Sequence, residues 1–499
     1  MRTTLKGSAR FLSILSLSMI GLAPGVVSAS ASTASSPTWN YIARPPYVQL
    51  GQARPDGSFP DGIPLCNSSS LQNIVCYSPA FIKKAYQFPS ASSLDGRGQT
   101  IVIVDAFGSP TITKDLSAFD TAFGIPAPPS FTIFCGDSAT PLDTRTCPTV
   151  NFRDTFHGVF AWTIETTLDV EYAHAMAPGA NIVLDVAATS SGNAINTAEA
   201  SAMAAYPKSI FSQSFGIPEG FITANDGQVL QAHKNYAKGA AAGDTFFASA
   251  GDTGATFGTS TAQSNFPASD PLNTNVTGTE GLPYIPPGYL TADNYAGDGL
   301  VSGGCPTSTP FSCTTGLSAF HGPCVLGRLA PPDCVPDGYG GEQVWNEPQF
   351  GTATGGAPSL LFGVPSYQNG LGLTARGPDI SYNAAIDGGV LVYYSAMGSP
   401  VVFIVGGTSA GSPQWAGIAA LTNQARANLG KGPIGANLNP AIYSIYHSAR
   451  YSTDFHDVTV GNDQLAGTPV GYSATSGYDL ASGVGTPVVD QLIVDLAAQ

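Results

Sequence analysis

Charge is scarce in this chain. Of 499 residues only 11% are Asp, Glu, Lys or Arg, and the 19 basic residues are outnumbered by 34 acidic ones. So few Lys and Arg, in a chain of formal net charge −15, argue against a nucleic-acid partner, because phosphate recognition needs a basic face. Low total charge also limits the self-repulsion that grows as carboxylates protonate, so the composition suits an acidic medium. Past Leu22 no apolar run reaches the ~20 residues that a bilayer span needs. None of the cysteine spacings is the short C-x₂₋₄-C of a structural zinc site, and no repeat or heptad pattern is present.

What is present begins with a targeting segment. Arg2, Lys6 and Arg10 precede the apolar stretch Phe11–Leu22, and Val27-Ser28-Ala29 follows with small residues. Residues 1–29 therefore read as a secretory signal peptide, and the mature chain is expected to be extracellular with no membrane association. Eight cysteines fall into four local pairs, Cys66 with Cys76, Cys135 with Cys147, Cys305 with Cys313, and Cys324 with Cys334. In an exported chain an even count favours small-loop disulfides, with local pairing the first expectation and zinc the competing one.

Residues 30–76 are rich in Ser, Pro, Gly and Asn and read as a linker or short pro-segment. From Tyr77 the pattern becomes regular. Ser78–Tyr86 reads as a helix, Gln99–Asp105 as a buried strand and Thr113–Phe123 as a helix. Phe156–Pro178 is a long helix, followed by the strand Ile182–Val186, the helix Ala194–Ala205 and the strand Ser209–Ser214. The helix Gly227–Gly239 and the strand Thr245–Ser249 complete the alternation, which implies a mostly parallel sheet with helices on both faces and ligands at the carboxyl ends of the strands. Residues 256–350 read as a long irregular excursion stapled by disulfides. A strand pair around Val390–Tyr394 and Val401–Val405 follows.

Three stretches carry chemistry. Val405–Gly417, VGGTSAGSPQWAG, reads as strand, tight turn and helix, which sets Ser409 beside unpaired backbone N–H groups and the positive end of the helix dipole. Thr408 or Ser409 could equally act only as a helix cap. In the Phe156–Pro178 helix, Glu165 and Asp169 stand four residues apart on one face, where like charges repel unless one is neutralised or partnered. The competing reading is a solvated face, which Glu171 and His174 are expected to occupy. Asp252, in ASAGDTG, directly follows a buried strand. Near the C-terminus Asp457 and Asp479 stand in Gly-rich loops, as hard oxygen ligands for calcium or as ordinary turn residues.

Together GTSAGSP, ETTLDVEYAHAMAPGA, SAGDTG and the FHDVT…SGYDLASGVGTP tail resemble the sedolisins, the serine-carboxyl peptidases, in the family's order and internal spacing. The resemblance covers about Tyr77 to the C-terminus as one peptidase domain, residues 77–499. It implies a subtilisin-like α/β fold, with Ser409 as nucleophile, Glu165 as its general base, Asp169 orienting Glu165, and Asp252 as a protonated donor to the oxyanion. It also implies one structural Ca2+ held by Asp457, Asp479 and the carbonyls of Val458, Thr475 and Gly477, although the family usually has Gly where Thr475 stands. Protein or peptide substrates and a monomeric, secreted enzyme follow, either an endopeptidase or a tripeptidyl-type aminopeptidase. The family's large folded propeptide has no counterpart in residues 30–76. The chemistry agrees with the resemblance, because none of the six histidines lies in a recognisable catalytic turn and a glutamate base with a neutral aspartic acid works at low pH. Two other functions remain open: a glycoside hydrolase using the Glu165/Asp169 pair, and a non-catalytic binding protein on the same scaffold.

Overall fold

A computed structural model describes residues 39–52, 76–90, 93–136, 158–280, 339 and 341–499. At its centre strands lie side by side in the order Phe131–Phe134, Asn181–Ala187, Thr100–Ala106, Ile210–Gln213, Thr245–Ser249 and Asn273–Glu280, each parallel to its neighbour. Ile380–Asn383 adds parallel to Asn273–Glu280, and the short Gln343–Val344 pairs antiparallel at its far end. The β-branched runs explain the middle of the sheet. Ile101, Val102, Ile103 and Val104 are all fully buried, as strands covered on both faces must be.

Helices begin where the sequence offers caps. Ser78 accepts the Phe81 N–H ahead of Pro79–Ala85, Ser191 accepts the Ala194 N–H ahead of Gly192–Ala205, and Asp226 accepts the Gln228 N–H ahead of Gly227–Ala242. Each such side chain satisfies a backbone donor that the first helical turn leaves open. Two helices, Val159–Met176 and Thr408–Asn428, are buried nearly all round and pack on each other. Their contact is close because Gly417 has no side chain; a Cβ there would stand 2.4 Å from the Cβ of Met176.

Beside the main sheet lies a smaller one, ordered Tyr47–Gln52, Val401–Val405, Gly389–Tyr394 and Cys76–Tyr77. Val401–Val405 is antiparallel to both neighbours, as expected for the strand pair leading into the Ser409 turn.

Four readings are corrected. Residues 39–52 do not behave as a free linker, since Tyr47–Gln52 is a paired strand and Asn40 and Ile42 make β-bridges to Ser191 and Gly216. The excursion assigned to 256–350 contains Asn273–Glu280, a strand with all eight residues buried. Its Asn, Thr and Gly residues gave no apolar run, and its polar groups are instead satisfied inside, as by Thr274 to Asn439 at 2.7 Å and by Asn275 N–H to Asp379 at 2.8 Å. Glu171 and His174 are not on a wet face; both are fully buried. Glu171 accepts the Tyr393 N–H at 3.1 Å and the His174 ring lies 3.0 Å from the Pro126 carbonyl, because the strand Gly389–Tyr394 and the helix Ile112–Phe123 cover that side. Finally, Ile380–Asn383 is a core strand that was not anticipated. Residues 1–29 and 281–338 lie outside the described residues, as do Cys66, Cys147, Cys305, Cys313, Cys324 and Cys334. Neither Cys76 nor Cys135 is free.

Candidate active site

Ser409 is the second residue of the Thr408–Asn428 helix, and it is 5% exposed at the floor of a cleft. The turn before it depends on Gly407, whose φ of +93° lies where only glycine is comfortable. A Cβ there would also stand 2.7 Å from Oδ2 of Asp252. Asp252 Oδ1 accepts both the backbone N–H and the hydroxyl of Thr408 at 2.8 Å, while the Gly251 N–H donates to the same Thr408 hydroxyl oxygen at 2.9 Å. Asp252 thus satisfies the first N–H of the helix at Thr408, and among the described residues no acceptor is recorded for the Ser409 N–H. Burial pushes the Asp252 carboxyl up to about 6, against the opposing pull of the Thr408 bonds. With Oδ1 engaged, Oδ2 is the oxygen free to carry a proton into the cleft.

On the other side of Ser409 stand Glu165 and Asp169, both fully buried. Burial pushes Glu165 well above the usual carboxylate range, the charges of Asp169 and Asp105 push it further, and the Ser409 hydroxyl is the neighbour that favours its ionised form. The Ser409–Glu165 approach is looser than a formed hydrogen bond, since neither Glu165 oxygen has a partner at bonding geometry; such contacts tighten when substrate arrives. Asp169 is likewise raised by burial and restrained by Ser214 and Glu165. Among the described residues the main influences on these carboxyls are burial and one another.

The Ser214 hydroxyl donates to Asp169 Oδ1 at 2.9 Å and lies 3.3 Å from the Ser409 carbonyl. That carbonyl is available because Pro413, four residues on, has no N–H to give it. Ser214 thus links the carboxyl of Asp169 to the backbone of Ser409.

Two members of this cluster escaped the sequence reading. Asp105, fully buried at the end of the Thr100–Ala106 strand, is raised first by burial and then by Asp169; a carboxylate closing a β-branched run was its only signal. Ser214 is the last residue of the expected strand Ser209–Ser214, with nothing in the sequence to single it out. The cleft has a volume of about 570 Å3, lined by Ser214–Pro218, Gly251–Thr253, Phe257, Asn265, Thr408 and Ser409, together with Ile42, Ala43 and Arg44.

At the C-terminal loops Asp457 and Asp479 converge on one turn. Asp457 accepts the Gly477 N–H at 2.9 Å and the Tyr451 hydroxyl at 3.0 Å. Asp479 accepts the Thr475 N–H at 2.9 Å and, through its other oxygen, the N–H groups of Ala481 and Ser482. Val458 is buried beside them.

No family model matches the chain. Over 430 residues it is 29% identical to kumamolisin of Bacillus sp. (strain MN-32), covering 84% of this chain and 63% of that protein. Over 370 residues it is 28% identical to physarolisin of Physarum polycephalum, covering 66% of this chain and 56% of that protein. The chain therefore spans less than two thirds of the length of these relatives. Among solved structures it is similar to Pseudomonas sedolisin, a serine-carboxyl proteinase complexed with two molecules of pseudo-iodotyrostatin, with a TM-score of 0.63 at 24% identity over 85% of this chain and 99% of that one. The α/β fold expected from the alternating pattern is the fold of that structure.

Proposed function

Because the chain belongs to the sedolisin family, we propose that it is an acid-acting serine-carboxyl peptidase that hydrolyses proteins or peptides through an acyl-enzyme on Ser409. Glu165 takes the Ser409 proton as oxygen attacks the peptide carbonyl, then returns it to the leaving amine. Asp169 is a positioning residue, holding Glu165 and supplying the proton that lets Glu165 carry the cluster's charge. Asp252, protonated, donates from Oδ2 to the tetrahedral oxyanion, and the Ser409 N–H is the second donor. The observation that carries this reading is that Ser409 stands among the raised, buried carboxyls of Glu165 and Asp169, with Ser214 joining Asp169 to it, and next to a separate raised carboxyl, Asp252, bonded to Thr408. The glycosidase reading loses ground, since Glu165 meets Ser409 and Asp169 meets Ser214 and Glu165, rather than the two carboxyls standing across a substrate from each other. Ser409→Ala should abolish hydrolysis of a peptide substrate, and Glu165→Gln should lower kcat by at least ~10²-fold. Full activity in Ser409→Ala would refute the assignment, and a retained fold with no hydrolysis by the native chain at any pH would favour the binding-protein alternative.

Secretion behind the residue 1–29 signal peptide and action as a monomer belong to the same proposal. Among the described residues no helix is long and apolar enough to cross a membrane. One structural calcium is also proposed. Asp457 and Asp479 present hard oxygens to a common turn, and carboxylate oxygens engaged by N–H groups keep lone pairs for a cation. Asp457, Asp479 and the carbonyls of Val458, Thr475 and Gly477 would hold it, and its role would be to pin the tail. Chelation should then lower the Tm, by an amount that grows with the calcium previously present. Melting unaffected by chelator, with no calcium found by metal analysis at neutral pH, would remove the site.

A further inference from the structure

The turn that carries Asp252 follows the strand Thr245–Ser249 and belongs to no helix or longer strand of its own, so what fixes it must come from elsewhere in the chain. Two segments hold it. From one, the Ala353 N–H donates to the Asp252 carbonyl at 3.2 Å, the Ala353 carbonyl accepts the Gly254 N–H at 2.9 Å, and the Gly355 N–H donates to the Gly251 carbonyl at 2.7 Å. The other is the hairpin of residues 461–474. In it the Ala474 N–H donates to the Gly461 carbonyl at 3.0 Å and the Asp463 N–H to the Tyr472 carbonyl at 3.1 Å. The Asp463 carbonyl then accepts the Ala255 N–H at 3.4 Å. Gly254, with a φ of +72°, allows the approach, since a Cβ there would stand 2.9 Å from that carbonyl oxygen.

Asp463 is where the two supports meet. Its side chain is fully buried. Oδ1 accepts the Tyr472 N–H at 2.5 Å and closes the hairpin. Oδ2 is buried without a hydrogen-bond partner among the described residues and faces Gly356, where a Cβ would stand 2.8 Å away. Gly356 adjoins the Gly355 that holds Gly251. On either side of Asp463 the Asn346 amide donates to the carbonyls of Asn462 at 3.1 Å and Gln464 at 3.0 Å, and Asn346 itself pairs with Ala353 across the strands. Burial pushes the carboxyl well above the usual carboxylate range, so in acid it stands as a neutral group. Leaving one of its oxygens unpaired inside still costs about 1–3 kcal/mol, more than a hairpin on the surface has reason to bear.

We propose that Asp463 is a positioning residue for the oxyanion donor: by locking the 461–474 hairpin against Ala255 and Gly356, it holds the Asp252 turn with Oδ2 aimed at the oxyanion. This rests on the reading of Asp252 as that donor. Asp463 does not itself line the cleft; it acts through the backbone of residues 251–255. Such control is effective because a donor stabilises the transition state only from the right place, and a displacement of about 1 Å can cost ~10²-fold in rate.

The test is steady-state kinetics on an added peptide at acidic pH. It compares the full chain with Asp463→Ala, Asp463→Asn, Asp252→Ala and the double variant Asp463→Ala with Asp252→Ala, each shown to be folded by near-UV circular dichroism. Asp463→Ala removes the acceptor of the Tyr472 N–H, and kcat should fall about tenfold, a usual coupling between residues of one network, with KM nearly unchanged. Asp463→Asn keeps that acceptor and the shape of a neutral carboxyl, and should recover most of the loss. In the Asp252→Ala background the same Asp463→Ala change should alter kcat by less than about twofold, because the donor it positions is gone. An equal loss with and without Asp252, or no loss in Asp463→Ala, would overturn the proposal and leave the peptidase reading standing. Undiminished kcat in Asp252→Ala would overturn the reading of Asp252 and this proposal with it. Should Asp463→Ala fail to fold, Asn346→Ala, which releases the Asn462 and Gln464 carbonyls and keeps the carboxyl, takes its place in the same cycle with the same criteria and a smaller fall expected.

Discussion

At the scale of single residues the account turns on where protons reside. Asp252 is raised from 3.8 to about 6 by burial, so the folded state holds its proton more tightly than the unfolded state does. Its contribution to stability is therefore complete below about pH 3.8 and is lost as pH rises through about 6, an effect on the order of 2–3 kcal/mol. The same titration would remove the proposed oxyanion donor. Asp252→Asn keeps a donor and removes the titration, so its kcat should fall less steeply between pH 4 and 7 than that of the native enzyme, and its urea midpoint should vary less over the same interval. Asp252→Ala should lose at least ~10²-fold in kcat at every pH. Equal losses and unchanged pH profiles in the two variants would contradict the role. Ser409 and the helix carboxylates could be singled out because their residue types sit in distinctive local patterns. Asp105 and Ser214 were not, since what makes them matter is a meeting in space: a strand end and a loop brought against Asp169.

At the scale of elements, the site is assembled by two buried helices held at a glycine contact. Gly417→Val inserts a branched side chain where even a Cβ would lie 2.4 Å from Met176, and overpacking of this kind costs about 1–3 kcal/mol. The displacement also separates Ser409 from Glu165, so kcat should drop by more than the loss of folded protein explains, with the comparison made on material shown to be folded by near-UV circular dichroism. Loss of stability with full kcat would mean that the contact is purely structural. Elements with strong periodicity or caps could be read from sequence: Thr245–Ser249 and Val401–Val405 have the bounds expected of them. Asn273–Glu280 and Ile380–Asn383 could not, because their burial is stabilised by polar partners such as the Arg376–Asp379 pair at 2.7 Å, which only the tertiary fold supplies. The helix Val159–Met176 was misread on one face for a related reason. Glu171 and His174 carry polar labels but meet a backbone N–H and a backbone carbonyl inside.

At the scale of the whole molecule, low charge and raised buried carboxyls both suit the proposed action in acid. Burial raises Glu165, Asp169 and Asp105, so the folded state is favoured while they hold protons and is increasingly penalised as pH rises. The calcium proposal opposes this trend, because the two aspartates bind a cation best when ionised. The central claim is that Ser409 is made nucleophilic by Glu165 in acid. It is tested most directly by intact-protein mass spectrometry after reaction with a serine-directed peptidyl phosphonate at pH 4 and at pH 8, on the native chain and on the Glu165→Gln variant. The account predicts one adduct, mapped to Ser409, formed faster at pH 4 and nearly lost in Glu165→Gln. An adduct on another residue, faster labelling at pH 8, or undiminished labelling of Ser409 in Glu165→Gln would contradict it.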